Sequence, residues 1–120
     1  MTPCYKIYED ENYFAFLDIN PLQKGHTLVI PKKEDDYIFN LDDATYSGLM
    51  MTAKKIAAAI KESTNCKRVG VTVLGMEVPH VHIHLVPMNS EKDMLFSNPK
   101  MELSKEEFEA IAADIAKRVK

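Results

Sequence analysis

The 120-residue chain has no tryptophan, only four glycines, and just two cysteines, Cys4 and Cys66, far apart in sequence. With no CxxC pair and no cysteine beside a histidine cluster, neither a disulfide framework nor a cysteine-based zinc site is expected. Both read as small buried hydrophobes or free thiols of a reducing compartment. No run approaches the ~20 apolar residues of a membrane span. The start Met1-Thr2-Pro3-Cys4 carries no charged segment leading into an apolar one, so a cytoplasmic protein without a membrane partner is expected. Basic charge is scarce too: 15 Lys and Arg against 18 Asp and Glu give a net charge of -3, no electrostatic footprint for duplex nucleic acid. Any selectivity for phosphate has to come from a local site. Repeats, linkers and low-complexity segments are absent.

What is present suits one globular domain: 46% of residues are hydrophobic and 28% charged, which excludes a disordered chain. The densest chemistry is His80-Val81-His82-Ile83-His84-Leu85-Val86. In an extended strand the three imidazoles share one face and Val81, Ile83 and Leu85 the other. Same-side neighbours are roughly 6 to 7 Å apart, so each ring is expected to touch a different part of one bound group. Packing gives no reason to prefer three titratable rings there over Thr or Val. Such a row suits a phosphate or a metal.

In chain order, Pro3 to Glu9 and Tyr13 to Leu17 form a predicted hairpin around Asp10-Glu11-Asn12. Asp18-Ile19-Asn20-Pro21 breaks it, and His26 to Ile30 is a third strand after Gly25. Tyr37, Ile38 and Phe39 form an apolar anchor before a helix from Asp42 to about Glu62, with Met50 and Met51 as packing filler and Gly48 weakening it slightly. Arg68 to Leu74 is a fourth strand, joined by a short link to the histidine strand, which runs to Pro87; the two are antiparallel neighbours. Met88 to Leu103 is expected to be irregular. Ser104 and Glu107 make a capping box for a C-terminal helix over 104–119. The expected class is α+β: an antiparallel sheet of about five strands with one central and one C-terminal helix. Residues 3–88 form the core and 89–120 an extension of the same domain.

A neutral imidazole attacks phosphorus when its other ring nitrogen is held as a donor. His82, at the centre, is best placed as the nucleophile, with His80 and His84 as supporting neighbours. Alone, His26 reads as a surface histidine, though it could reach the same face. Asp18 and Asn20 read as turn formers or, alternatively, as recognising vicinal hydroxyls. Zinc is the rival ligand; only Glu77 offers a nearby carboxylate.

HVHIHLV resembles the His-x-His-x-His-x-x signature of the histidine triad (HIT) superfamily, in its Hint-like nucleotide hydrolase branch. Glu9-Asp10, Ala15 to Pro21, Gly25 to Lys32, and Gly75, Val78 and Pro79 extend the resemblance over Pro3 to about Met88. It implies a homodimer whose sheets join, one purine nucleotide site per subunit, and no metal or other cofactor. His82 would attack the α-phosphate of a nucleoside phosphoramidate or related conjugate, giving a nucleotidyl-histidine that water resolves. His84 would bind the phosphate; His80 and His26 would form a supporting pair. Asp18 would hold the ribose hydroxyls, with Phe16, Ile19 and Leu28 lining the base pocket.

The chain departs from this pattern in four places. An Ile-Phe segment usual upstream of the Pro3 position is missing, so the base site is expected to be either more open or completed by something else. A phosphate-contacting Asn has no counterpart. Met76 and Glu77 stand where Gln and a hydroxyl residue are frequent, which makes Glu77 a candidate for recognising a cationic leaving amine or acting as a general acid. Cys4 lacks the partner cysteine of zinc-containing members. The alternatives are a nucleotide-binding or sensing module with little turnover, and a zinc-binding protein.

Overall fold

The computed structural model describes residues 4–76 and 78–120. The expectation placed on Glu77 lies outside the described residues.

Asp10 Oδ1 accepts from the N–H groups of Asn12 and Tyr13, both at 2.8 Å, and this turn joins β1 (Lys6–Glu9) to β2 (Tyr13–Leu17). β2 alternates buried and half-buried positions and β1 buries Ile7, so one face of the hairpin is turned to the core. β3 (Thr27–Pro31), β4 (Arg68–Thr72) and β5 (Ile83–Met88) complete an antiparallel sheet in the order β1-β2-β3-β5-β4. The α+β class and the five strands are as the sequence implied.

α1 (Asp43–Thr64) starts where the Asp42 side chain accepts from the Thr45 N–H, and stops at Asn65 in the left-handed region (φ 55°). α2 (Lys105–Arg118) carries the expected Ser104–Glu107 capping box. Both helices lie on one face of the sheet, where Leu49, Ile56 and Ile60 of α1 and Phe108 and Ile115 of α2 meet Ala15, Val29, Ile83 and Leu85. Among the described residues, no helix is long and apolar enough to cross a membrane.

Gly48 does more than weaken α1. A Cβ there would lie 1.9 Å from the Tyr13 hydroxyl, which donates to the Thr45 carbonyl at 3.1 Å, so the missing side chain admits the ring. Three other expectations change. β5 begins at Ile83, leaving His80 and His82 in the bend before it. Met50 and Met51 are 36% and 62% exposed and fill no core. Of the anchor at 37–39 only Ile38 is buried; it belongs to a 3-10 turn, Ile38–Asn40. A second turn, Glu91–Met94, interrupts the expected irregular stretch.

β5 is buried on both faces. Ile83 and Leu85 point to the helices, while His84 occupies the opposite face, flanked in register by Leu28 of β3 and Thr72 of β4. The site is built on that second face.

Candidate active site

Gly25 has φ 98°, and a Cβ at this position would press on Thr64 and Pro87, so the turn before β3 calls for glycine. That turn delivers His26 into the interior, 1% exposed, which corrects its reading as a surface histidine. Its Nδ1 lies 3.0 Å from the Leu22 N–H and its Nε2 3.0 Å from His84 Nδ1.

His82 and His84 come together, with ring centroids 4.9 Å apart. This is shorter than strand spacing because His82 precedes the pleated part of β5. His82 Nδ1 lies 2.8 Å from the His80 carbonyl. The His80 ring turns elsewhere, its Nε2 2.9 Å from the Pro31 carbonyl. The strand spacing put all three rings on one bound group, and the family resemblance paired His80 with His26. In the structure His26 pairs with His84, and His80 is fastened to the end of β3.

A cavity of about 720 Å³ is lined by His82 and His84 together with Asp18, Asn20, Leu28, Leu74, Gly75, Met76, Val78, Phe96 and Lys100. Asp18 is the turn former the sequence allowed, its Oδ1 accepting from the Asn20 N–H at 2.8 Å, and it also lines the cavity. Of the three residues assigned to the base pocket only Leu28 lines this cavity. Phe16 sits beside it across the β2–β3 ladder, packed on Phe14 at 5.2 Å, and Ile19 is 36% exposed.

The HIT domain family matches residues 1–91. The chain belongs to the HIT family. It is 35% identical to a HIT-like protein of Borreliella burgdorferi, over 98% of this chain and 90% of that one. It is 34% identical to the adenosine 5'-monophosphoramidase of Schizosaccharomyces pombe over the same shares of each. The crystal structure of a hypothetical histidine triad nucleotide-binding protein from Sulfolobus tokodaii superposes with a TM-score of 0.82 at 29% identity, covering 98% of this chain and 85% of that one. The HIT family thus includes hydrolases of nucleotide conjugates.

Within this HIT site the proton positions follow from the partners. A backbone N–H can only donate, so His26 Nδ1 accepts from Leu22; His26 Nε2 then carries the proton and donates to His84 Nδ1, and His84 Nε2 carries the next one. Burial holds both rings down to about 4, aided by the Lys100 charge at His26 and by the neighbouring histidines at His84, so both are neutral at pH 7. A carbonyl can only accept, so His82 Nδ1 donates to His80 and a neutral His82 keeps its lone pair on Nε2. Both the His82 and the His84 ring line the cavity.

The same logic weighs against a cation at Asp18, His26 and His84, whose candidate ligand atoms lie within 4.8 Å of one another. The Leu22 N–H keeps the His26 proton on Nε2, where a metal would need a lone pair. The donor set fits a hydrogen-bond relay and not a metal.

Sequence reasoning missed Phe96 and Lys100. The Phe96 ring meets His84 edge-on at 4.9 Å and His26 at 6.2 Å. The signal was an aromatic and a lysine in a polar stretch after the triad, which periodicity does not register.

Proposed function

We propose that the protein hydrolyses nucleoside 5'-phosphoramidates or closely related nucleotide conjugates through a covalent His82 intermediate. The observation that carries this reading is the 2.8 Å bond from His82 Nδ1–H to the His80 carbonyl, which leaves the Nε2 lone pair on a ring that lines the cavity. Nε2 attacks the α-phosphorus, the bond from phosphorus to the leaving amine breaks as the amine takes up a proton from solvent water, and a nucleotidyl-His82 forms. The His80 carbonyl then faces an imidazolium and stabilises it. Water attacks the same phosphorus, releasing nucleoside monophosphate and returning the lone pair to Nε2.

His84 Nε2–H donates to a non-bridging oxygen, its direction fixed by His26 behind it. His80, through its bond to Pro31, positions the carbonyl that orients His82. Asp18 and Asn20 receive the sugar hydroxyls, and Leu28 lies on the base side beside Phe16 and Ile19. The monophosphoramidase activity named for the Schizosaccharomyces pombe relative supports the substrate class.

The working form we infer is a homodimer. β4 is an edge strand of the sheet, and Val71 on it is 51% exposed, with Met51 at 62% and Phe39 at 69%. An unpaired edge flanked by such residues favours a second copy.

The test is AMP release from adenosine 5'-phosphoramidate by the purified protein and by His82→Asn. Release is expected to fall about a thousandfold or more in the variant, with AMP still bound. Equal turnover by both would remove His82 as nucleophile. Binding of AMP by both without turnover by either would make the protein a nucleotide-binding module.

A further inference from the structure

The cavity holds a charge that the proposed chemistry does not use. Among the described residues that line it, Lys100 is the one lysine or arginine and Asp18 the one carboxylate, and burial keeps His84 neutral at pH 7. A nucleotide brings an α-phosphate that carries negative charge throughout the reaction. A neutral His84 offers that phosphate one N–H donor and no charge.

Lys100 is prepared for the task, although its side chain lies at the exposed rim. Its ammonium donates to the carbonyls of Phe96, at 2.5 Å, and Asn98, at 3.1 Å. Two of three N–H donors are thus spent on its own loop, which fixes the head group, and the third is available to a ligand. The loop is held in turn. Asn98 Nδ2 donates to the Lys92 carbonyl at 2.7 Å, and the Met101 N–H donates to the Pro21 carbonyl at 2.8 Å. That second bond ties Lys100 to the turn that carries Asp18 and Asn20. The ammonium also adds to the lowering of the His26 pKa, so its field reaches the relay. It therefore lines the same cavity as Asp18, Asn20, His82 and His84, next to the turn proposed to receive the sugar.

We propose that Lys100 is a nucleotide-binding residue whose ammonium complements the α-phosphate from the sugar side, making the site selective for nucleotides over nucleosides. This rests on the reading of the cavity as a nucleotide site. Lysine suits the role as a compact point charge that favours an anion without demanding one orientation, so the phosphorus can change its geometry during transfer.

The experiment is a pair of NMR titrations, with AMP and with adenosine, on wild type, Lys100→Met and Lys100→Arg at low and moderate salt. Lys100→Met is expected to bind AMP about five- to tenfold more weakly while adenosine binding stays the same. The salt dependence of AMP binding should shrink in the same variant, and Lys100→Arg should keep most of the affinity. Equal losses for AMP and adenosine would mean that Lys100 only holds its loop, and undiminished AMP binding by Lys100→Met would mean that it does nothing for phosphate; either result overturns the proposal. If wild type bound neither ligand, the nucleotide reading itself would fall, a result distinct from both.

Discussion

His26 Nε2 donates to His84 Nδ1 across 3.0 Å in an interior where neither ring is more than 7% exposed. The bond joins the residue just ahead of β3 to the second residue of β5, and through it the Leu22 backbone N–H decides which nitrogen of His84 points outward as a donor. A ring that touches no substrate thus determines what the neighbouring ring can offer.

His26→Ala is therefore expected to lower turnover of adenosine phosphoramidate about ten- to a hundredfold, without removing the nucleophile. The check is kcat together with the 15N shifts of His84, which should change from one tautomer to a mixture. An unchanged His84 spectrum would show that the relay does not set its tautomer.

Acid should destabilise the fold through the same pair. Both rings titrate near 4 when folded and near 6.5 when unfolded, so between those values the unfolded chain binds more protons and stability falls as pH falls. The loss should begin below about pH 6.5 and level off near 4. For a coupled pair sharing one hydrogen bond it should total roughly 3 kcal/mol. Urea unfolding at several pH values measures it, and a flat profile across this window would contradict the assignment.

Gly48→Ala should reverse the usual helix preference. Alanine stabilises an exposed helix interior by about 1 kcal/mol over glycine. Here the added Cβ meets the Tyr13 ring and hydroxyl, so a net destabilisation of about 2 kcal/mol is expected. Thermal unfolding of the variant decides the sign.

Zinc should not occupy Asp18, His26 and His84 in the intact relay. Equilibrium dialysis of wild type and His26→Gln against micromolar zinc is expected to give the same stoichiometry. A site lost in the variant would show that the Leu22 N–H does not hold the proton where we place it.

The elements of this fold were legible because their signals are local. Asp42, Ser104 and the alternation in Pro3 to Glu9 each specify a cap or a strand from neighbouring residues. The triad was legible as three unusual residues at spacing two, and the resemblance to a family carried the fold further. What escaped depends on contacts distant in sequence. The partnership of His26 with His84 spans 58 positions and that of His80 with Pro31 spans 49. Met50 and Met51 misled because a helical stripe says which residues are apolar and not whether anything covers them. Phe96 and Lys100 lie where no periodicity exists to be read.

The match to the HIT domain ends at residue 91, whereas Phe96 and Lys100 line the cavity from beyond it. If Lys100 acts as proposed, a change confined to the segment after β5 would alter what the cavity admits while leaving the His26–His84 bond and the His82 ring as they are.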